Sequence, residues 1–159
     1  MKSASSRQPF RVARSKTGLG LFATALIKKG AFIVEYRGRR ILNRTADDLE
    51  TKYMFEINSR WTIDGSGRRN IARYINHSCK PNAETDVIKG KIRITATRTI
   101  RPGDEITYHY GRGYFDTFIK PGGCGCAACM QKKREARAEA RRLRLARAKR
   151  LARARKKKS

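Results

Sequence analysis

Four side chains of different chemistry stand in a row at Asn76, His77, Ser78 and Cys79. They follow the half-apolar run Ile71-Ala72-Arg73-Tyr74-Ile75 and precede a turn signal, Lys80-Pro81-Asn82. An amide, an imidazole, a hydroxyl and a thiol offer donors, acceptors and one soft ligand atom. Burying so many polar groups is costly unless the backbone or a ligand satisfies them. The string is therefore either a turn capped by its own side chains or a corner that holds a ligand. A second cluster, Cys124-Gly125-Cys126-Ala127-Ala128-Cys129, places three thiols within six residues. That is a metal site short of its fourth ligand, or a set of free thiols. The chain has four cysteines, and with no secretion signal metal binding is favoured over disulfides.

Strands and turns must hold these groups. Phe10–Arg14 alternates like a short strand. Gly18-Leu19-Gly20 marks a turn and lets backbone approach a ligand closely, but the third glycine of a dinucleotide fingerprint is missing. Ile27–Gly38 reads as a Lys-Gly turn and then a strand rich in β-formers. Thr45–Glu50 predicts a brief helix with acids favourable to its dipole. Tyr53–Ile57 and Trp61–Asp64 predict a hairpin around Asn58–Arg60, and Glu84–Ile88 pairs with Lys91–Thr97 across a second Lys-Gly turn. After Pro102-Gly103, the alternation of Ile106, Tyr108 and Tyr110 puts two tyrosines on one strand face, with His109 facing outward.

The 159 residues allow one compact domain of modest core size. No apolar run approaches the ~18 residues of a membrane-spanning helix. The basic Met1–Arg7 segment has no apolar stretch behind it, so no secretory signal is expected. The net charge of +26 is extreme. Residues 131–159 carry 15 Lys/Arg against 2 acids, +13, and residues 1–130 carry 24 against 11, also +13. Ala, Leu and Arg in this tail favour helix, while its thin apolar stripe (Leu143, Leu145, Leu151) and self-repulsion oppose it. A disordered or fraying helix that orders on a polyanion is expected. Nucleic acid is the expected partner of residues 131–159, bound through its phosphates; without aromatics the tail offers no base stacking.

The run Arg73-Tyr-Ile-Asn-His-Ser-Cys-Lys-Pro-Asn82 resembles the central motif of SET-domain protein lysine methyltransferases. Other pieces of that family appear in order. They are Gly18-Leu-Gly-Leu-Phe-Ala23, the Lys29-Gly30 turn with Glu35-Tyr-Arg-Gly38, the Tyr53-Met-Phe55 strand, and Gly103-Asp-Glu-Ile-Thr-Tyr-His-Tyr110. The resemblance covers about residues 10–130. It implies a mainly-β SET fold: small β-sheets, a β-clip with the closing motif threaded as a pseudoknot beside the Asn-His segment, and short helices. The implied domains are a SET domain at 8–115, a zinc-binding post-SET segment at 116–130 and a basic tail at 131–159. Three features depart from the pattern. Arg39 stands where many members have Glu, His109 replaces the usual Asp, and two residues rather than four separate Cys126 from Cys129.

The resemblance also implies a chemistry, S-adenosylmethionine-dependent methylation of lysine in a protein. Tyr110 is cast as the catalytic tyrosine, with Tyr53 and Tyr108 in the lysine channel; Tyr108 occupies the position associated with product state and predicts mainly monomethyl-lysine. Gly18, Leu19, Gly20, Tyr36, Arg73, Asn76 and His77 are cast as the donor site. Cys79 joins Cys124, Cys126 and Cys129 as the fourth ligand of a structural zinc. The expected substrate is a lysine-containing protein of histone or histone-like kind. A monomer in the cytoplasm or associated with nucleoid or chromatin is expected. The rival reading is a non-catalytic SET-fold module that binds nucleic acid or chromatin through its tail.

Overall fold

The computed structural model describes residues 8–49 and 51–156. The Met1–Arg7 segment, Glu50 at the end of the expected short helix and residues 157–159 of the tail lie outside the described residues.

A hairpin opens the domain. β1 (Phe10–Ser15) and β2 (Gly18–Ala23) pair antiparallel, with Ser15 opposite Gly18 across the two-residue link Lys16-Thr17. Gly18 has φ +119°, a backbone state that glycine reaches without a Cβ penalty. β3 (Phe32–Tyr36) later joins β9 (Lys91–Ala96) and β8 (Ala83–Ile88) in one three-stranded sheet. β8 and β9 are linked by Lys89-Gly90, both at positive φ, as a two-residue hairpin turn requires. A second three-stranded sheet has the order β4 (Arg39–Leu42), β6 (Trp61–Asp64), β5 (Met54–Glu56). The predicted hairpins at 53–64 and 84–97 are therefore both present.

The third sheet builds the site. β10 (Glu105–Tyr108) lies between β2, which it pairs antiparallel, and β7 (Asn76–His77), which it pairs parallel. The loop after β7 then wraps β10. Ser78 N–H donates to Tyr108 O at 3.1 Å and Asn82 N–H to Thr107 O at 3.2 Å. The buried Asn82 amide accepts from Thr107 N–H and donates to Glu105 O, both at 2.9 Å. This interlacing is the expected threading of the closing motif beside the Asn-His segment. Beneath it the core is a β-branched and aliphatic layer, with Leu21, Ile75, Ile92, Ile94, Ile100 and Ile106 fully buried.

Two local details differ from the sequence expectation, and the tail takes the helical one of its two expected forms. The short helix α1 spans Asn43–Asp47 rather than starting at Thr45. Asn43 sets its start, because its amide donates to Asn58 O at 3.0 Å and accepts from the Thr62 hydroxyl at 2.9 Å. β10 stops at Tyr108, so Tyr110 lies beyond the strand and its backbone N–H is free for a side-chain acceptor. The tail is one continuous helix of 30 residues, Ala127–Lys156, about 45 Å long. It follows the short α2 (Arg112–Tyr114) and a π-helical turn (Phe115–Ile119), and we number it α3. It begins inside the cysteine cluster, where Met130 N–H donates to Cys126 O at 2.9 Å. Residues 131–153 are all exposed, so intrinsic propensity and this anchored first turn hold it rather than packing. Among the described residues no helix is long and apolar enough to cross a membrane.

Candidate active site

The 3-10 turn Ile71–Tyr74 and β7 deliver Asn76 and His77 to one corner, where three cavities meet. Asn76 and Thr17 line all three. Asn76 is fixed from two sides: its amide donates to Leu19 O at 3.0 Å and to Glu105 Oε1 at 2.8 Å. The Glu105 carboxylate sits over Gly20, where a Cβ would fall 2.5 Å from its Oε1. Gly20 thus makes room for Glu105, and through it for Asn76. Of Gly18, Leu19 and Gly20, only Leu19 lines one of these three cavities.

One of these cavities, about 680 Å³, is lined by Tyr36, Tyr53, Phe55, Tyr108, Tyr110 and Tyr114. All of these rings but Tyr53 form a chain. Tyr36–Phe55 centroids are 5.6 Å apart, Phe55–Tyr108 6.5 Å, Tyr108–Tyr110 5.0 Å and Tyr110–Tyr114 5.1 Å. Hydroxyls are held at the backbone: Tyr36 donates to Tyr53 O at 2.9 Å and Tyr110 to Ile75 O at 2.7 Å. Tyr108 lies in the same wall with its ring buried, and its hydroxyl, which still reaches the cavity, has no hydrogen-bond partner among the described residues. Burial first, and neighbouring tyrosines second, push the Tyr108 and Tyr110 phenols well above their usual value, so both stay protonated. The predicted channel tyrosines 53, 108 and 110 therefore come together. Tyr36, expected to face the donor, lies in this aromatic wall.

Arg73 braces the wall. Its guanidinium lies 3.9 Å above the Tyr53 ring and donates to Ser66 O. Arg73 Nε is buried without a partner, the one such side-chain atom among the described residues, which leaves a donor for a ligand or water.

A second cavity of about 550 Å³ shares Thr17, Lys52, Asn76, Tyr110 and Tyr114 with the first. Its other wall is Thr117–Ile119 and Pro121–Cys126. The volume lies within the range of pockets for a nucleoside-sized ligand. Phe118 is 61% exposed and packs 4.8 Å from Tyr114, an apolar surface at the cavity edge. His77 stands between this cavity and the cysteines. Its Nδ1 accepts from Tyr110 N–H at 3.3 Å, so Nε2 carries the proton in the neutral ring, and Nε2 is 3.4 Å from Cys79 Sγ. Burial, and then the neighbouring His109 charge, lower the His77 pKa to about 4, which keeps the ring neutral. His109 itself is exposed, as expected of an outward position.

The sulfurs of Cys79, Cys124, Cys126 and Cys129 all lie within 4.8 Å of one another. Cys79 is 3.8 Å from Cys124 and 3.5 Å from Cys129. A tetrahedral zinc with bonds of about 2.3 Å needs sulfur–sulfur edges of about 3.8 Å. The shortened Cys126–Cys129 spacing is accommodated because Cys129 rides in the first turn of α3. Burial alone would raise the Cys126 thiol, but the backbone N–H groups of Cys79 and Cys129 bring it down to about 6. Four thiols and no open position fit a closed structural zinc.

The SET domain family model matches residues 18–111, from Gly18 through Gly111. The chain belongs to the SET-domain family. Histone-lysine N-methyltransferase 2D of Homo sapiens is 38% identical over 132 residues, 74% of this chain and 2% of that protein. The H3 lysine-4 specific histone-lysine N-methyltransferase of Schizosaccharomyces pombe is 38% identical over 123 residues, 69% of this chain and 13% of that protein. Histone-lysine N-methyltransferase Set2 of Drosophila melanogaster is 40% identical over 116 residues, 64% of this chain and 5% of that protein. The chain thus spans only a small part of these relatives' length. Within this SET domain, Arg39 at the usual Glu position forms an ion pair with Asp64 at 3.9 Å. The cluster of four cysteines is in keeping with a post-SET segment.

Thr17, Lys52 and Tyr114 belong to the site and were not anticipated. Thr17 sits in a two-residue hairpin link, and Tyr114 is delivered by a helical turn after Gly111. Neither carries a sequence signal beyond the glycine that precedes Tyr114 by three positions.

Proposed function

We propose that this chain is an S-adenosylmethionine-dependent protein-lysine N-methyltransferase that adds mainly one methyl group. The observation that carries the reading is the shared wall of the two cavities. Tyr110 and Asn76 face both the tyrosine-lined channel and the cavity under the post-SET segment. That is the layout needed to bring a lysine and a methyl donor end to end. Membership of the SET family, and the names of its relatives, support it.

S-adenosylmethionine would be held by Asn76 and His77, with Tyr114 and Phe118 flanking and Leu19, whose carbonyl fixes Asn76, on the channel side; when bound it supplies a methyl group on a positively charged sulfur. The chain's own task is to prepare the amine. Holding lysine neutral at pH 7 costs roughly 4–5 kcal/mol against its reference pKa. Tyr53, Phe55, Tyr108 and Tyr110 strip water from the ammonium and so favour its neutral form. The Ile75 carbonyl fixes the Tyr110 hydroxyl, which leaves its oxygen to orient the amine. Orientation, not acid–base chemistry, supplies most of the rate. Zinc on the four cysteines would pin residues 121–129 against β7 and keep the second cavity closed.

The reading extends to partners. A lysine-bearing protein of histone or histone-like kind is the proposed substrate, near chromatin or nucleoid. The proposed second partner is nucleic acid on α3, which carries 11 Lys/Arg between residues 132 and 153. Labelled donor incubated with enzyme and basic proteins, followed by mass spectrometry, tests the activity. Lysine-borne label supports it; donor binding with no transfer to any protein would leave the non-catalytic module.

A further inference from the structure

The channel cavity has a charge polarity along its wall. β5 is the outer strand of its sheet and pairs only with β6, and Met54, Phe55 and Glu56 all line the 680 Å³ cavity. Its outer edge pairs with no strand among the described residues, so backbone donors and acceptors are offered to an extended peptide. Glu56 is the only acidic side chain in that cavity's lining. It is exposed, and among the described residues no hydrogen bond or ion pair holds its carboxylate.

The other charged side chains of the lining are cationic. Arg73 is stacked on Tyr53 and bonded to Ser66 O. Lys52 is exposed and directly precedes Tyr53. The wall is therefore positive where the chain enters Tyr53 and negative at Glu56. A chain of net charge +26 repels a cationic substrate almost everywhere, which makes one unpaired carboxylate beside the channel a selective contact. β5 begins at Met54, so at a strand rise of about 3.3 Å per residue Glu56 lies at most about 10 Å along the wall from Tyr53. An extended substrate covers that distance in about three residues.

We propose that Glu56 selects substrates carrying an arginine or lysine about three residues from the target lysine, on the flank away from Lys52. The inference rests on the reading of the chain as a lysine methyltransferase, and it names the substrate class that reading leaves open. An exposed carboxylate–guanidinium pair predicts about a two- to fivefold gain in kcat/KM over a neutral residue at that position.

The test uses the full chain and peptides with a single central lysine, in which one arginine, glutamine or glutamate is moved through the flanking positions. The readout is the ratio of kcat/KM for arginine over glutamine at each position, within one enzyme. Wild type should show its largest ratio about three residues out on one flank only. Glu56→Gln should bring that ratio to one, and Glu56→Lys should invert it in favour of glutamate. Because each ratio is internal, a variant of lowered overall activity still reports. A wild-type ratio of one at every position, or an arginine preference retained in both variants, would overturn the inference while leaving the methyltransferase reading intact. No methylation of any peptide or protein by wild type would overturn both.

Discussion

Tyr108→Phe should change the product without disturbing the fold. Tyr108 is 6% exposed, its ring is 5.0 Å from Tyr110 and 6.5 Å from Phe55, and its hydroxyl makes no hydrogen bond to any described residue. Removing that oxygen breaks no protein contact, so stability should move by less than about 1 kcal/mol. The hydroxyl can instead hold a water beside the target nitrogen, in the room a methylated amine needs in order to turn. The quantity at stake is one hydrogen bond, about 0.5–1.5 kcal/mol, which corresponds to a bias of about tenfold at most. At limiting enzyme, mass spectrometry of a single-lysine peptide should show mainly monomethyl-lysine from wild type. Tyr108→Phe should raise the di- and trimethyl share by up to about tenfold, with an unchanged melting curve. Trimethyl-lysine as the main wild-type product, or an unaltered product ratio in the variant, would refute the reasoning.

Cys79→Ser should lose zinc, because its sulfur lies 3.5–3.8 Å from two of the other three thiols; metal analysis of the purified variant checks this, with activity falling alongside. Deleting residues 131–159 should remove most DNA affinity and flatten its salt dependence by several of the roughly 0.9 slope units each phosphate contact contributes. Peptide methylation by the same truncation should largely persist, since α3 beyond Gln131 is exposed throughout its described side chains. Alkaline pH should unfold the domain steeply. Burial raises the folded pKa of Tyr36, Tyr108 and Tyr110 above the unfolded value near 10, so native protein keeps protons that unfolded chain releases. Stability is full below pH 10 and falls above it by about 4 kcal/mol per pH unit for the three groups together, measurable by denaturant titration across pH 9–12.

Motif-bearing stretches were legible because their periodicity and their punctuation agree. The strand alternation at 91–97, the Lys89-Gly90 turn and the crowded Asn76–Cys79 corner each had a local physical cause, and each occupies its expected place. The three tyrosines that the resemblance singles out, Tyr53, Tyr108 and Tyr110, line one cavity. What could not be read depends on contacts between distant segments. The start of α1 rests on Asn43 reaching Asn58 and Thr62. Tyr36 joins the channel wall through a hydrogen bond 17 residues away. The tail stays open between a disordered and a helical form in the sequence, because like-charge repulsion opposes the helix that Ala, Leu and Arg favour; α3 is the helical form.

The proposed activity is transfer of a methyl group to a lysine nitrogen inside the tyrosine channel. Its most direct test pairs wild type with Tyr110→Phe, using labelled S-adenosylmethionine and one lysine-containing protein pool, with donor binding measured separately. Wild type should place label on lysine Nζ. Tyr110→Phe, which keeps the ring and loses the hydroxyl held by the Ile75 carbonyl, should bind donor yet transfer roughly a hundredfold more slowly. Equal turnover by the two proteins, or DNA binding by wild type with no lysine-borne label, would contradict it.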